Sequence, residues 1–173
     1  MKYISCLFAL LLFASVAIAQ SANTLPVGNE KVASSNIIFE QELLVLINKE
    51  RKKRRLRAVK LQADLTNAAR YHAEDMGKQN YFEHSSMYRT GGKLKELCGP
   101  FDRIRQFTKG NVFASSENIA AGQQTPSEVL ESWMTSSGHR KNILNKSNKF
   151  MGLGYVEVAG SEYGGYWVQI FGN

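Results

Sequence analysis

The sequence predicts an α+β layered domain, and three observations carry that prediction. Apolar residues recur at helical spacing through the first half, from Ile38 to Met76. Two runs rich in aromatic and β-branched residues, FMGLGYVEV and GGYWVQIFG, close the chain as strands. Helices come first and strands last, with none of the alternation that builds a parallel βαβ sheet.

The chain opens MKYISCLFALLLFASVAIAQ. Lys2 gives a positive start, Ile4 to Ile18 is almost wholly apolar, and Ala17-Ile18-Ala19 is a small-residue cleavage site. Residues 1–19 are therefore expected to be a secretory signal peptide cut before Gln20. The run is too short for a membrane span, and no later run reaches that length. Residues 20–35 are rich in Ser, Ala and Asn, have no periodicity, and read as a flexible leader. Residues 36–173 are expected to be the domain.

Within it, Ile38, Phe39, Leu43, Leu46 and Ile47 mark a helix over about 37–54. RAVKL is a short extended link. Leu65, Ala68, Ala69, His72 and Met76 line one face of a second helix, about 62–79. EHSSMYRTGG reads as a loop punctuated by Gly91-Gly92. Pro100 suits the first turn of a short helix through about Phe107. SSENIAAGQQ is small and polar and reads as a loop or a strand end. Thr125-Pro126-Ser127-Glu128 is a strong helix start, with a capping Thr, Pro at the first position and Glu three residues on. Val129, Leu130, Trp133 and Met134 are its apolar stripe; Ser136 to Gly138 break it, and HRKNIL makes a further turn. In the first closing strand, Gly152 and Gly154 alternate, so one face lacks bulk and something must lie close against it.

The formal net charge is +7, lowered by one if Lys2 leaves with the signal peptide. Much of the excess sits in KERKKRRLR, residues 49–57. Such a run is ordinarily a solvated face, and cations suit the C-terminal end of a helix. It lacks the interleaved aromatics of a nucleic-acid surface, and no nucleic acid is expected as partner. Attraction to an anionic envelope polymer fits it better. Cysteine usage is sparse: Cys6 lies in the signal peptide, leaving Cys98 without an intrachain partner, and it reads as a small buried hydrophobe.

There are three histidines. His72, on the apolar stripe of its helix, reads as a hydrogen-bonded core residue. His84 sits in a loop beside Ser85 and Ser86, Glu117 lies in SSENIAAG, and His139 follows Ser137-Gly138. Two imidazoles and a carboxylate suit zinc with open positions. They equally suit general acid–base work, or a polar network that pins loops to the core. Spacing does not choose among these. H-E-x-x-H, G-x-S-x-G, the Walker loop and G-x-G-x-x-G are all absent.

Taken in order, LLVLINKERKKRRLRAVKLQADLTNAARYHAEDMGKQNYFEHSS, PFDRIRQF, SSENIAAG, VLESWMTSSGHRKNILN, MGLGYVEV and YWVQIFG resemble the CAP superfamily of cysteine-rich secretory, antigen 5 and pathogenesis-related proteins, in its bacterial secreted branch. The resemblance covers about Ile37 to Asn173. It implies an α-β-α sandwich with a central, mostly antiparallel sheet and a cleft on one side. It also implies a metal set of His84 (the FxH loop), Glu117 (the GEN motif, with Ser116 for Gly) and His139 (the GHR signature). The eukaryotic second glutamate falls at Ser136 here, and Glu131 is the nearest acidic residue, off the apolar stripe. The expected function is a secreted binding or interaction module with a polar, zinc-compatible cleft; a metal-assisted hydrolase is the alternative. The expected partner is a small ligand, a lipid or an envelope polymer.

Overall fold

The computed structural model describes residues 24–173; the expected signal peptide lies outside them. Among the described residues, eleven elements run in the order α1 (Ile37–Lys53), β1 (Lys60–Leu61), α2 (Ala63–Gln79), β2 (Ser86–Thr90), β3 (Lys93–Cys98), α3 (Pro100–Thr108), β4 (Ala114–Ala121), α4 (Pro126–Thr135), α5 (Ser137–Ile143), β5 (Phe150–Glu157) and β6 (Gly165–Gly172). The central sheet has the order β1-β5-β6-β4. Within it the two-residue β1–β5 pairing is parallel; β5–β6 and β4–β6 are antiparallel.

Side-chain alternation along the strands divides the core in two. Ile119, Val156, Tyr166, Val168 and Ile170 face α2 and α3, with Leu65, Ala69, Met76, Ile104 and Phe107. Ala120, Met151, Leu153, Tyr155, Trp167 and Phe171 face α1, α4 and α5, with Leu43, Ile47, Val129, Trp133 and Ile143. Helices therefore cover both faces of the sheet, the α-β-α arrangement expected.

What lies against the glycine face of β5 is the backbone of α2. A Cβ on Gly152 would stand 2.2 Å from the carbonyl carbon of Leu65, and one on Gly154 2.5 Å from the amide nitrogen of Arg70. The helix rides on the strand with no side chain between them. Beyond β1, the edge of β5 is covered otherwise. The Glu40 carboxylate, on α1, accepts from the Tyr155 amide at 3.0 Å and from Arg70 of α2 at 3.0 and 2.5 Å. Ser35 donates its amide to Tyr155 O and accepts from the Glu157 amide. An unpaired strand edge is thereby closed. Residues 24–35 carry no helix or strand, yet Val32 packs on the α2-side core and Gly28 sits against the Gln106 carbonyl.

One segment expected as a loop, and one expected as a loop or a strand end, are strands. EHSSMYRTGG contains β2, which pairs with β3 around Gly91 and Gly92, both at positive φ (55° and 77°). Such a two-glycine turn matches the twist of a hairpin. SSENIAAG falls almost wholly in β4, the strand at one edge of the central sheet. Its small residues let α3 and α5 approach, and pairing with β6 rather than intrinsic strand preference holds it extended. The basic run is not uniformly solvated either. Arg51 is fully buried and donates from Nε to Arg57 O (2.9 Å) and from its terminal nitrogens to Ile143 O (2.6 Å), Asn145 O (3.0 Å) and Asn148 O (3.4 Å). A cation here satisfies the carbonyls that the end of α5 leaves without helical partners.

Substituting Gly152→Ala should cost about 1–3 kcal/mol, because the new methyl meets helix backbone that cannot yield locally. Gly138→Ala, where a Cβ would meet nothing within 4 Å, should be neutral or stabilising by up to about 1 kcal/mol. Urea-unfolding midpoints of the two variants, compared with the native chain, test the contrast.

Candidate functional site

The site forms at the free edge of β4, the last strand of the sheet. Alternation sends Glu117 and Asn118 to opposite faces there, Glu117 toward α3 and Asn118 toward α5. A register irregularity between Ala114 and Ser116 precedes them, of the kind that re-aims side chains at a strand end.

On the α3 face, Glu117 is buried and fully engaged. Its Oε2 accepts from Arg103 at 2.6 Å, and its Oε1 accepts from His84 Nδ1 at 2.9 Å. Arg103, wholly buried on α3, also donates to His84 O (3.0 Å) and Ser86 Oγ (3.1 Å). Burial alone would raise the Glu117 carboxyl. The Arg103 charge and then the His84 hydrogen bond outweigh it and hold the group below the ordinary carboxylate value. Because a carboxylate only accepts, the neutral His84 ring carries its proton on Nδ1, leaving Nε2 as an acceptor on a side chain 48% exposed. The loop reaches this point because α2 ends on Asn80 in the left-handed region (φ 53°) and the Tyr81 amide returns to Met76 O.

On the opposite face a chain of amides fixes α5. Asn118 Nδ2 donates to His139 O (3.2 Å) and Gln169 Oε1 (2.8 Å); Asn142 Nδ2 donates to Asn118 Oδ1 (2.8 Å). Asn148 Nδ2 donates to Asn142 O (2.9 Å), and Ser115 Oγ closes the chain on Asn148 Oδ1 (3.0 Å). These bonds hold the backbone of His139 against the strand. Burial lowers the His139 pKa below the ordinary imidazole value, and a charge on His84 lowers it further.

Thus His84 and Glu117 are in direct contact, while His139 is held by its carbonyl on the Asn118 face of the same strand, near enough to His84 to feel a charge there. Among the described residues, no three His, Cys, Asp or Glu side chains converge as a group able to hold a metal. Zinc also meets a chemical obstacle: both Glu117 oxygens are taken, one by a permanent buried cation. The set does not fit zinc unless Glu117 releases a partner. Glu131 is exposed and lines a groove of about 500 Å³ between α1 and α4, with Leu46, Leu130, Met134 and Arg140. Cys98 is half-buried, and burial raises its thiol pKa, so it offers no ready nucleophile.

Sequence reasoning missed Arg103 and the amide chain. The signal for Arg103 was present: a cation on the apolar stripe of Ile104 and Phe107, where only a paired charge persists. Behind the site, His72 has the expected core role. It is fully buried, donates from Nε2 to Glu83 O (3.0 Å), and desolvation lowers its pKa to about 3. Nearby Asp75 accepts from Tyr81, and burial raises its pKa to about 6.

The profile of the Cysteine-rich secretory protein family, CAP, matches residues 44–171. The chain is 38% identical over 155 residues to YkwD of Bacillus subtilis, covering 90% of this chain and 53% of that protein. A crystal structure of an extracellular protein containing a SCP domain from Bacillus anthracis is similar at a TM-score of 0.61 and 29% identity, over 77% of this chain and 39% of that one. An outer surface protein from Borrelia burgdorferi has the same fold, at a TM-score of 0.66, 20% identity, and 79% and 93% coverage. The chain spans about half the length of its Bacillus subtilis relative and less of the Bacillus anthracis one.

Arg103→Met should cost about 3–5 kcal/mol, since it strands a buried carboxylate; adding Glu117→Gln should restore much of that, as a double-mutant unfolding cycle would show. The acid response is separable. Below pH 6.5 the unfolded chain protonates His72 and the folded chain does not until about pH 3, so stability falls with acidification by about 1.4 kcal/mol per pH unit. Asp75 has the opposite sign: the folded chain binds its proton from about pH 6 and the unfolded chain only near 3.8, so acidification relieves its cost. The two offset one another between those values. Asp75→Asn should therefore make stability fall more steeply from pH 6 to pH 4, read from urea midpoints.

Proposed function

Because the chain belongs to the CAP, cysteine-rich secretory protein family, we propose that it is an extracellular binding module that engages a ligand at the β4 edge without turning it over. The observation that carries this reading is the Arg103–Glu117–His84 arrangement. The carboxylate that would act as a metal ligand or a base is neutralised by a buried arginine. What it does instead is orient His84 and set its tautomer. The exposed imidazole is then held in one orientation by its Nδ1 bond to the carboxylate, and His139 is a second adaptable polar group. A ligand rich in hydroxyl or amide groups, such as a small glycan or an envelope-polymer segment, suits such a pair. Extracellular placement is supported by the Ala17-Ile18-Ala19 cleavage pattern and by the outer-surface and extracellular relatives.

A metal-assisted hydrolase is the second reading, and the carboxylate-oriented imidazole favours it. For that reaction Glu117 would have to surrender one of its partners to zinc, and a nucleophilic water would need donors for the developing oxyanion. The two readings part in a turnover assay. Fluorogenic ester, peptide and phosphodiester substrates, with and without added zinc, should give rates equal to those of Glu117→Gln. Zinc uptake and zinc-dependent turnover that both vanish in the His84→Ala, His139→Ala double variant would establish the hydrolase and overturn the binding module.

A further inference from the structure

The basic run leaves one feature that the β4 site does not use. Arg51 withdraws into the core and binds the carbonyls of Arg57, Asn145 and Asn148 at once. That one guanidinium ties the end of α1 to the turn after α5. The Lys60 amide donates to Lys149 O at 3.1 Å, and Lys60 stands opposite Phe150 in the parallel pairing. Five cations from two distant stretches are thus gathered on one surface: Arg55, Arg57, Lys60, Lys146 and Lys149. All five are exposed.

None of the five makes an ion pair among the described residues. The nearest carboxylates in sequence are engaged elsewhere. Glu50 is held by Lys53 and Arg54, and Asp64 accepts from the Gln62 amide. Five like charges crowded without counter-charge repel one another. They gain a partner only from outside.

We infer that the end of α1 and the 145–149 turn form a docking surface for a flexible polyanion with closely spaced phosphates, of the kind found in phosphate-backboned envelope polymers. Such a ligand runs along the surface and displaces its counterions, with no shape-specific pocket required. The surface shares no residue with the β4 edge, so its failure and that of the binding module are distinguishable. His84→Ala with His139→Ala should leave polyanion binding unchanged.

The probe is long-chain inorganic polyphosphate, titrated calorimetrically into the protein spanning residues 20–173 at several salt concentrations between ~50 and ~200 mM. At about 0.7 per phosphate contact, the value for flexible single strands, the native chain should give a log–log salt slope near −3 to −4. Arg55→Gln, Arg57→Gln, Lys146→Gln and Lys149→Gln together should flatten that slope to about −1 and weaken binding at least tenfold at low salt. The same loss of four charges at Lys31, Lys78, Lys93 and Lys95 should leave it nearly unchanged. Arg55→Lys with Arg57→Lys, which keeps the charge, should retain binding. The quadruple surface variant should melt no lower than the native chain, since it removes repulsion only. Equal loss in both quadruple variants would reduce the effect to net charge and overturn the surface. So would no polyphosphate binding by the native chain, or binding to anionic lipid vesicles that polyphosphate does not compete away.

Discussion

The chemistry of the β4 edge depends on one buried ion pair. Arg103 and Glu117 are both almost completely removed from water and meet at 2.6 Å. Neither charge is tolerable there alone, because the desolvation of an isolated ion exceeds what hydrogen bonds to neutral groups return. The pair therefore fixes three segments together: α3, the edge strand and the 84–86 turn, whose His84 carbonyl and Ser86 hydroxyl both accept from the second terminal nitrogen of Arg103. His84 owes its orientation to that lock. So does the difficulty of placing a dication, since the carboxylate's negative charge is already balanced.

A second lock works on the other face of the same strand with neutral groups. The amides of Asn118, Asn142, Asn148 and Gln169 hold α5 without any net charge, and the His139 carbonyl is one of their acceptors. Arg51 secures the far end of that short helix through its last carbonyls. A seven-residue helix has little stability of its own. It is held at both ends by side chains from elsewhere, which is how the backbone around His139 keeps its place. The two faces differ accordingly: ionic and sensitive to acid at Glu117, neutral and indifferent to it at Asn118.

Much of this was legible. The Thr125 cap, the helical stripes and the alternating Gly152 and Gly154 each state a local rule, and each rule holds because packing agrees with it. The contact of His84 with Glu117 was reached through ordered motifs and not through spacing, since topology alone brings residues so distant in sequence together. The elements that went unread are those that tertiary pairing creates. Strand β4 is built of Ala, Ser, Asn and Glu around Ile119, and has little strand preference until β6 pairs with it. The β2–β3 hairpin hides behind polar residues, and only Gly91-Gly92 announces it. Arg51 and Arg103 are charges whose burial depends on carbonyls and a carboxylate contributed from far along the chain.

Arg51 also shows why a charge run cannot be treated as one object. Six of the eight other residues from Lys49 to Arg57 are Lys or Arg, yet Arg51 alone is fully buried and determines where the others stand. By reaching the 145–149 turn it brings Lys146 and Lys149 beside Arg55 and Arg57. The structural arginine thereby organises the solvated ones into a surface that neither stretch would present alone. Stability at this corner and attraction for an anionic partner then trace to the same residue through different atoms: its guanidinium caps carbonyls, and its position sets the spacing of exposed charge. Removing it would disperse the surface as well as weaken the fold, whereas neutralising its exposed neighbours would alter the electrostatics and leave the carbonyl cap intact.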